Sequence, residues 1–330
     1  MTAKTNGYGA TVAPLQTLGA PTTIATARLA EQLGYESLWV AEANGSEAFS
    51  LLGAVAVAAP SLGLGTGVLA LQLRTPPLAA MAAATLQQLA PDREVFLGIG
   101  ISSPVVAGKW HGTDYTDRPL AQVREYVALV RECLSGETVS FDGDYYHVSR
   151  FRLSLRAGER TPKIVIGALN PKMLALAGEI ADGVLLNYLP ASLVPWSVEQ
   201  VRKGGDARIY AYVHVGVTDR DRYAEAARRD LFSYAVVDAY AANFARAGYA
   251  DAVAEVRAHH EARERDAAVA AVSDAWVDGV QIMGDAAHVR RSVQAYVDAG
   301  VQTPIVFPLP WADDRTAVVE ATLDAARPAG

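Results

Sequence analysis

The chain has 330 residues, of which 51% are hydrophobic, and a formal net charge of -7. This length and hydrophobic content suffice for one large core. Because αβ-barrels of this size routinely form one domain, we expect residues 1–330 to be a single domain. The 29 basic residues are scattered along the chain. Without a basic stripe or a run of like charge, nucleic acid is not an expected partner.

Cysteine, histidine and N-terminal patterns exclude further classes of protein. The single cysteine, Cys133, excludes an internal disulfide and a multi-thiolate metal site, and we expect it in the core. His259 and His260 follow one another on a charged helical pattern without zinc-site spacing, so no metal is expected. The first nine residues are polar, and no apolar stretch reaches about 18 residues, which predicts a soluble, cytoplasmic protein.

The first half of the chain alternates short Val-, Ile- and Leu-rich runs with longer helical patterns, which is typical of βα units around a parallel sheet. In the first clear unit a helix opens at Pro21, Gly34 caps it, and a strand follows. The strands and helices predicted up to the middle of the chain are strand 38–40, strand 62–69, the helix from Pro76 to before Pro91, strand 95–99 and helix 119–134.

The second half continues this alternation, with two insertions. Residues 139–141 and 145–147 flank Asp142-Gly143-Asp144, which predicts a surface hairpin with a tight turn after helix 119–134. Residues 218–277 are helical and too long for a simple connection, so they form an insertion between strands seven and eight. The other predicted elements are strand 163–168, helix 171–181, strands 183–187, 209–217 and 279–283, helix 286–299 and the closing strand 303–308. Eight strand positions predict a (β/α)8 TIM barrel.

Reactive groups of such a barrel lie at the C-terminal ends of its strands. Four strands are counted before residue 101, so strand 38–40 is the second and strand 95–99 is the fourth. Glu42 follows strand two, where a carboxylate is costly unless it is solvated, paired or used. Ser102 and Ser103 follow strand four and offer hydroxyl groups to a ring edge or phosphate, or simply form a turn. Asn170 opens a helix whose free N–H groups suit a phosphate. His111 is the histidine closest to a candidate site loop, as an acid or as a structural residue.

Two glycine-rich strands leave two interpretations open. Residues 63–67 and 98–100 are rich in glycine, but neither gives the G-x-G-x-x-G turn of a dinucleotide fold. Glycine inside a strand lets a flat ring approach closely, which suits a cofactor at the barrel mouth. The alternative is that these glycines only serve a tight barrel interior.

Several of these segments, in this order, resemble the luciferase-like monooxygenase superfamily, in its coenzyme F420-dependent branch. The resemblance spans nearly the whole chain and is carried by residues 62–69, 96–100, 102–106 with 110–112, and 171–173 through 181–187. It implies a deazaflavin over the barrel mouth, backed by a bulge with a non-prolyl cis peptide at Gly67-Val68. By the same resemblance, the residues that line the cofactor are Glu42, Gly67, Val68, Ile101, Ser102, Ser103, Gly167, Ala168, Leu169 and Asn187.

Departures from the family pattern bear on the direction of the reaction. The family's sugar-phosphate dehydrogenases have an acid followed by His after strand two and a carboxylate after strand four, whereas this chain has Glu42-Ala43 and Ser103. We therefore expect a reductase that delivers a hydride from reduced F420 to a C=C or C=N bond of a small or natural-product substrate. Glu42 is the first candidate for proton handling, before His111, Tyr8 and Tyr188.

Two other functions stay open at this point. One is an FMN-dependent monooxygenase on the same barrel, and the other is a non-catalytic barrel with a binding role. The substrate would be selected by residues 101–118, the hairpin and residues 218–277. By analogy with the family, a homodimer is expected.

Overall fold

Eight parallel strands close into a barrel in the computed structural model, which describes residues 7–115, 117–155 and 158–328. The first six residues of the polar N-terminal stretch thus lie outside the described residues. Each strand pairs with the next in the chain, and the last pairs with the first, which confirms the predicted TIM barrel. The strands are β1 (Gly9–Thr11), β2 (Ser37–Val40), β3 (Gly63–Thr66), β4 (Val95–Gly100), β5 (Lys163–Gly167), β6 (Gly183–Leu186), β7 (Arg208–Val217) and β8 (Thr303–Pro308).

Helices surround the barrel and form the insertion after β7. In the parts of the chain that the structure describes, the α-helices are α1 (Ala20–Gln32), α2 (Ala48–Ala58), α3 (Pro76–Leu89), α4 (Pro119–Leu134), α5 (Pro171–Ile180), α6 (Val194–Arg202), α7 (Arg220–Ala235), α8 (Asp238–Phe244), α9 (Ala250–Glu261), α10 (Arg265–Ala270), α11 (Asp274–Val280), α12 (Ala286–Asp298) and α13 (Arg315–Ala326). Gly34, at φ +83°, lies in the turn after α1 as the sequence predicts. None of these helices is both long and apolar enough to cross a membrane.

The barrel interior is filled by large side chains rather than left as a pore. Six strands contribute to one buried cluster, in which Trp39 stacks on Phe96 at a ring-centroid distance of 4.9 Å. Tyr210 and Tyr212 of β7 belong to this cluster, whereas Ala211 and Val213 belong to the outer core between strands and helices. This alternation is the period of two expected of a strand with two buried faces. It therefore points His214, two residues further on, into the barrel near its C-terminal end.

The helical insertion has a hydrophobic core of its own. Trp276 and Phe244 are fully buried there, with ring centroids 4.7 Å apart. Tyr188, which follows β6, belongs to the same cluster. The predicted insertion between strands seven and eight is thus confirmed, and it packs directly against one side of the barrel mouth.

Cys133 and the hairpin lie on the outside of the barrel. The thiol is buried beside Ala80, Leu129 and Val139, as expected, and burial raises its pKa to about 11. Val139 belongs to the hairpin, whose strands Thr138–Asp142 and His147–Arg152 pair antiparallel. The predicted hairpin is confirmed, but its turn is longer than the Asp-Gly pattern indicates, because Tyr145 and Tyr146 lie in the loop between the strands.

Two predicted strand boundaries are wrong. The predicted strand 62–69 is interrupted, because β3 ends at Thr66 and a separate short strand, Leu69–Ala70, pairs with the end of β4. The predicted strand 279–283 begins inside α11; the observed strand is Ile282–Gly284, and it pairs only with the end of β7. Short apolar runs do not distinguish a helix from a strand.

Candidate active site at the barrel mouth

A backbone bulge follows β3 at the barrel mouth. The Gly67-Val68 peptide is cis, at the bond that the resemblance implies. The Gly67 N–H donates to Val40 O at 2.8 Å, and Tyr212 Oη donates to Gly67 O at 2.6 Å. Because β2 and the interior of β7 both hold the bulge, the half-buried Val68 has a fixed place at the mouth.

The glycines of β4 and β5 make room for this bulge. A Cβ on Gly98 would lie 1.9 Å from Thr66 O, and one on Gly100 would lie 2.9 Å from a Val68 methyl group. A Cβ on Gly167 would lie 3.2 Å from the same methyl group. The space beside these glycines is filled by the protein's own atoms, so the tight-interior interpretation is correct for them. We call the ends of β3, β4 and β5 the glycine arc.

The loop after β4 turns sharply at Ser102. Its φ of +29° is unusual for a residue with a side chain and costs about 1 to 3 kcal/mol, a strain that is commonest at functional sites. Ser103 Oγ accepts from Val106 N at 3.2 Å and caps the π-helix Pro104–Trp110. The structure therefore supports a capping role for Ser103, and leaves the Ser102 side chain exposed at the mouth.

Glu42 lies in an ion pair beside the glycine arc. Its Oε2 accepts from Arg74 Nη2 at 2.8 Å and from Ala48 N at 2.9 Å. The two side chains are only 11% and 15% exposed, and Arg74 also contacts Glu47. The pairing explains how a carboxylate is tolerated after a buried strand. In the described part of the chain no group donates to Oε1, which leaves this atom for water or substrate.

His111 contacts the same loop from the outside. Its Nε2 lies 2.6 Å from Ala43 O, one residue after Glu42, and the side chain is exposed. Since a carbonyl only accepts, Nε2 carries the proton in this contact. The contact supports the structural alternative for His111, which holds the loop after β2.

The end of β5 leads into an open helix N-terminus. Asn170 is the N-cap residue of α5, but its side chain makes no capping hydrogen bond. Lys172 is exposed in the first turn. Free N–H groups and a lysine side chain suit a phosphate. Gly167, Ala168 and Leu169 connect this N-terminus to the glycine arc.

The opposite side of the mouth is lined by aromatic side chains. The His214 ring stacks on Phe307 at 4.0 Å and lies 4.4 Å from the Tyr188 ring. His214 Nε2 lies 2.8 Å from Asn187 Oδ1. Tyr188, like Ser102, follows a strand end with positive φ, at +50°. We call Asn187, Tyr188, His214 and Phe307 the aromatic arc.

The insertion places a carboxylate behind the aromatic arc. Asp230 Oδ2 of α7 accepts from Tyr188 Oη at 3.0 Å and also from Gln281. Burial raises the pKa of Asp230 to about 6, and it lowers the pKa of His214 to about 3, because both environments disfavour the charged form. His214 is therefore neutral at physiological pH.

The structure unites most predicted site residues and adds others. The residues predicted to line the cofactor follow β2 to β6, which are neighbours in the barrel. Sequence reasoning missed Arg74, Tyr212, His214 and Asp230. The alternation Tyr210, Tyr212, His214 could have revealed the histidine, because it places a polar side chain inside the barrel. Asp230 gives no such signal, since it lies among the charged residues of α7.

Comparisons with known proteins agree with this architecture. A protein from Mycobacterium tuberculosis with the provisional name coenzyme F420-dependent oxidoreductase is 32% identical over 317 residues, covering 84% of this chain and 88% of the relative. The 5,10-methylenetetrahydromethanopterin reductase of Methanolobus tindarius is 32% identical over 54% of this chain and 53% of its own length.

A solved structure extends the likeness to the whole fold. The coenzyme F420-dependent tetrahydromethanopterin reductase of Methanopyrus kandleri superposes with a TM-score of 0.77 over 98% of both chains, at 21% identity. The family model described as luciferase-like monooxygenase matches residues 7–303. The chain belongs to the luciferase-like monooxygenase family.

Proposed function

We propose that this protein is a reductase dependent on reduced coenzyme F420, which supplies a hydride from its deazaflavin ring when bound. The observation that carries the proposal is the fixed bulge at Gly67-Val68, together with the open N-terminus of α5 on the same side of the mouth. One offers a shaped surface to a planar ring, and the other offers N–H groups to a phosphate. The names of the relatives support the choice of F420.

The proposed cofactor site follows the glycine arc and the strand ends next to it. In it, the bulge would hold one face of the ring, and the loop after β4 would border the ring edge. Asn187 follows β6, two strands along the barrel from β4. The residues proposed to line the cofactor are Glu42, Gly67, Val68, Ile101, Ser102, Ser103, Gly167, Ala168, Leu169 and Asn187.

The side chains of the mouth favour reduction of a C=C or C=N bond over oxidation of an alcohol. Oxidation needs a base next to the hydroxyl group. Ala43 stands where a histidine would follow the acid of β2, and the Ser103 hydroxyl is engaged as a helix cap. Hydride addition to an unsaturated bond needs only a proton source, and the Oε1 atom of the Glu42 carboxylate can orient a water molecule that supplies the proton. In this proposal His111 keeps the Glu42 loop in position.

We also propose a homodimer through the face formed by α2 and α3. These neighbouring helices contain no charged residue. They expose Val57 at 78%, and Leu78, Met81 and Leu89 at nearly half of their surface, an apolar patch of the kind that marks an interface. Val57→Lys should shift the sedimentation coefficient to that of a monomer, whereas Ala295→Lys on the exposed side of α12 should not. A monomeric unsubstituted protein would reject the dimer.

The cofactor proposal is tested by titrating the purified protein with F420 and with FMN while following fluorescence. We expect saturable binding of F420 and weak or no binding of FMN. Gly167→Ala should weaken F420 binding about fivefold, roughly 1 kcal/mol, because the new methyl group displaces Val68. Gly53→Ala on α2, which has ordinary space, is the control. Tight FMN binding without any response to F420 would instead favour the monooxygenase.

The reaction is tested separately with reduced F420 and a panel of enones, imines and secondary alcohols. We expect reduced F420 to be consumed when an enone or an imine is added. With oxidised F420 and an alcohol, we expect no reduced F420 to form. Glu42→Gln should slow turnover even when reduced F420 is saturating, so that a change in cofactor affinity does not account for the loss. If F420 binds but no unsaturated compound is reduced, and Glu42→Gln has no effect, the non-catalytic binding barrel becomes the better account.

A further inference from the structure

The hydrogen bonds of the Asn187 side chain fix which way its amide group points. Oδ1 accepts from the backbone N–H of Tyr188 at 2.9 Å, and His214 Nε2 lies 2.8 Å from the same atom. A backbone N–H can only donate, so the atom that receives it must be the amide oxygen. The orientation of this amide therefore follows from its hydrogen bonds.

The same contacts determine the tautomer of His214. Because Asn187 Oδ1 is an acceptor, His214 Nε2 must carry a proton. His214 is 1% exposed and neutral, so Nδ1 is the unprotonated nitrogen. Among the described residues no group donates to buried Nδ1. The imidazole thus donates its one N–H to Asn187, and the Gln281 side chain also interacts with it.

The aromatic arc holds His214 in this place. Phe307 stacks on one face of the imidazole, with an angle of 19° between the planes. The Tyr188 ring also packs against the imidazole. Tyr188 is itself held by two hydrogen bonds: its hydroxyl donates to Asp230, and Asn243 Nδ2 donates to Tyr188 O at 3.1 Å. Two insertion helices, α7 and α8, therefore contribute to the rigidity of a barrel residue.

The Asn187 NH2 group is what remains for a ligand. Asn187 is half-buried, and its amide nitrogen is not among the buried side-chain atoms of the described residues that lack a hydrogen-bond partner. The neighbouring Tyr240 hydroxyl interacts with the Asn187 side chain and can accept one of the two protons. The other proton has no acceptor in the described protein, so an acceptor atom on a bound ring would complete the set.

We propose that His214 is a positioning residue, which locks the Asn187 amide so that its NH2 group donates to an acceptor at the edge of the bound deazaflavin. This inference rests on the proposed function, because it requires a ring with carbonyl or nitrogen acceptors at the mouth. His214 itself stays buried and does not touch the cofactor. A swing of the unlocked amide would present the oxygen to the ring acceptor, where two acceptors repel.

The test compares two variants of nearly equal size at position 214. His214→Gln keeps an N–H donor near the position of Nε2, whereas His214→Met fills the space without a donor. We expect His214→Met to weaken F420 binding about tenfold in a fluorescence titration, and His214→Gln to stay within about threefold of the unsubstituted protein. A merely space-filling role of His214 predicts equal F420 affinities for the two variants, and that result would overturn the proposal.

A double-mutant cycle links the effect to Asn187. Asn187→Asp removes the NH2 group, keeps the oxygen that accepts from Tyr188 and His214, and should weaken F420 binding about tenfold. Adding His214→Met to Asn187→Asp should then cause no further loss. Fully additive losses would contradict positioning through Asn187. Position 187 is half-buried and the substitution changes few atoms. Asn187→Asp therefore still tests the role of the NH2 group if His214→Met fails to fold.

The free protein provides an independent measurement. With 15N-labelled histidine, the resonances missing in His214→Gln identify His214 among the six histidines. We expect a neutral Nε2–H tautomer that does not titrate between pH 8 and 5. A titrating imidazole or an Nδ1–H tautomer would overturn the proposal. If the unsubstituted protein binds no F420 at all, the proposed function fails instead, which separates the two outcomes.

Discussion

The two sides of the barrel mouth are built in different ways. The glycine arc presents mainly backbone and the methyl groups of Val68, set in place by close contacts that leave no room for a Cβ on Gly98. The aromatic arc consists of side chains, among them a neutral histidine, and a carboxylate with a raised pKa lies behind it. A backbone surface gives a ring its shape complementarity, while polar side chains control donors and acceptors. We infer that the glycine arc binds the ring and that the aromatic arc orients it.

The largest loss of stability is expected from a substitution in the glycine arc. Gly98→Ala would bring a methyl carbon to 1.9 Å from the Thr66 carbonyl oxygen, a backbone atom that cannot move aside. We expect a loss of about 3 kcal/mol or more in the free energy of unfolding, measured by denaturant titration, or no soluble protein. Gly53→Ala is the control and should be neutral or stabilising by up to about 1 kcal/mol. A stable Gly98→Ala protein would show that the bulge is not closely packed.

The second effect concerns the ion pair beside the glycine arc. Arg74→Met leaves the Glu42 carboxylate without its partner in a largely buried place, which should cost about 3 kcal/mol in stability. The matched control is Arg124→Met, because Arg124 pairs with Glu179 where both side chains are half exposed, and we expect a much smaller loss of stability. Equal losses in the two variants would argue against the buried character of the Glu42 site.

The third effect depends on pH and concerns Asp230, which lies behind the aromatic arc. Between pH 4 and 6 folded Asp230 holds a proton that the unfolded chain has released, so the native protein loses stability as pH rises through this window. Asp230→Asn removes this dependence. Its stability relative to the unsubstituted protein should rise between pH 4 and 7 by up to about 3 kcal/mol, at about 1.4 kcal/mol per pKa unit. If the difference in stability between Asp230→Asn and the unsubstituted protein does not change with pH, the pKa of Asp230 is not raised.

The smallest effect is expected for the loop contact outside both arcs. His111→Phe removes the hydrogen bond to Ala43 O at an exposed position, which should cost about 0.5 kcal/mol in stability. We expect the turnover of reduced F420 to stay within about threefold, because proton handling is proposed for Glu42. A large drop in turnover with unchanged F420 affinity would restore His111 as a catalytic acid.

The sequence predicts the fold well because hydrophobic periodicity is a local property. Strand 95–99, helix 119–134 and the insertion after β7 all lie close to their predicted positions. The errors fall where local pattern is ambiguous, as at residues 279–283, or where tertiary contacts break a strand, as at Gly67. The glycines of β4 illustrate the limit: their number is visible in the sequence, but the atoms that occupy the space beside them are not.

The candidate site was predicted only in part, for a similar reason. Residues that follow strand ends, such as Glu42 and Ser102, are recognisable from their position and from the family resemblance. Contacts that join distant segments are not, and both Tyr188 with Asp230 and Tyr212 with Gly67 are of this kind. Their partners are 42 and 145 residues apart in the chain, so the folded barrel alone brings them together.

The most direct test of the account is a crystal structure of the complex with oxidised F420. We predict that one face of the ring lies against Val68, that the phosphate lies at the N-terminus of α5, and that Asn187 Nδ2 lies within hydrogen-bond distance of an acceptor on the ring. A ring bound away from the Gly67-Val68 bulge, or a mouth that admits no ring, would contradict the central claim.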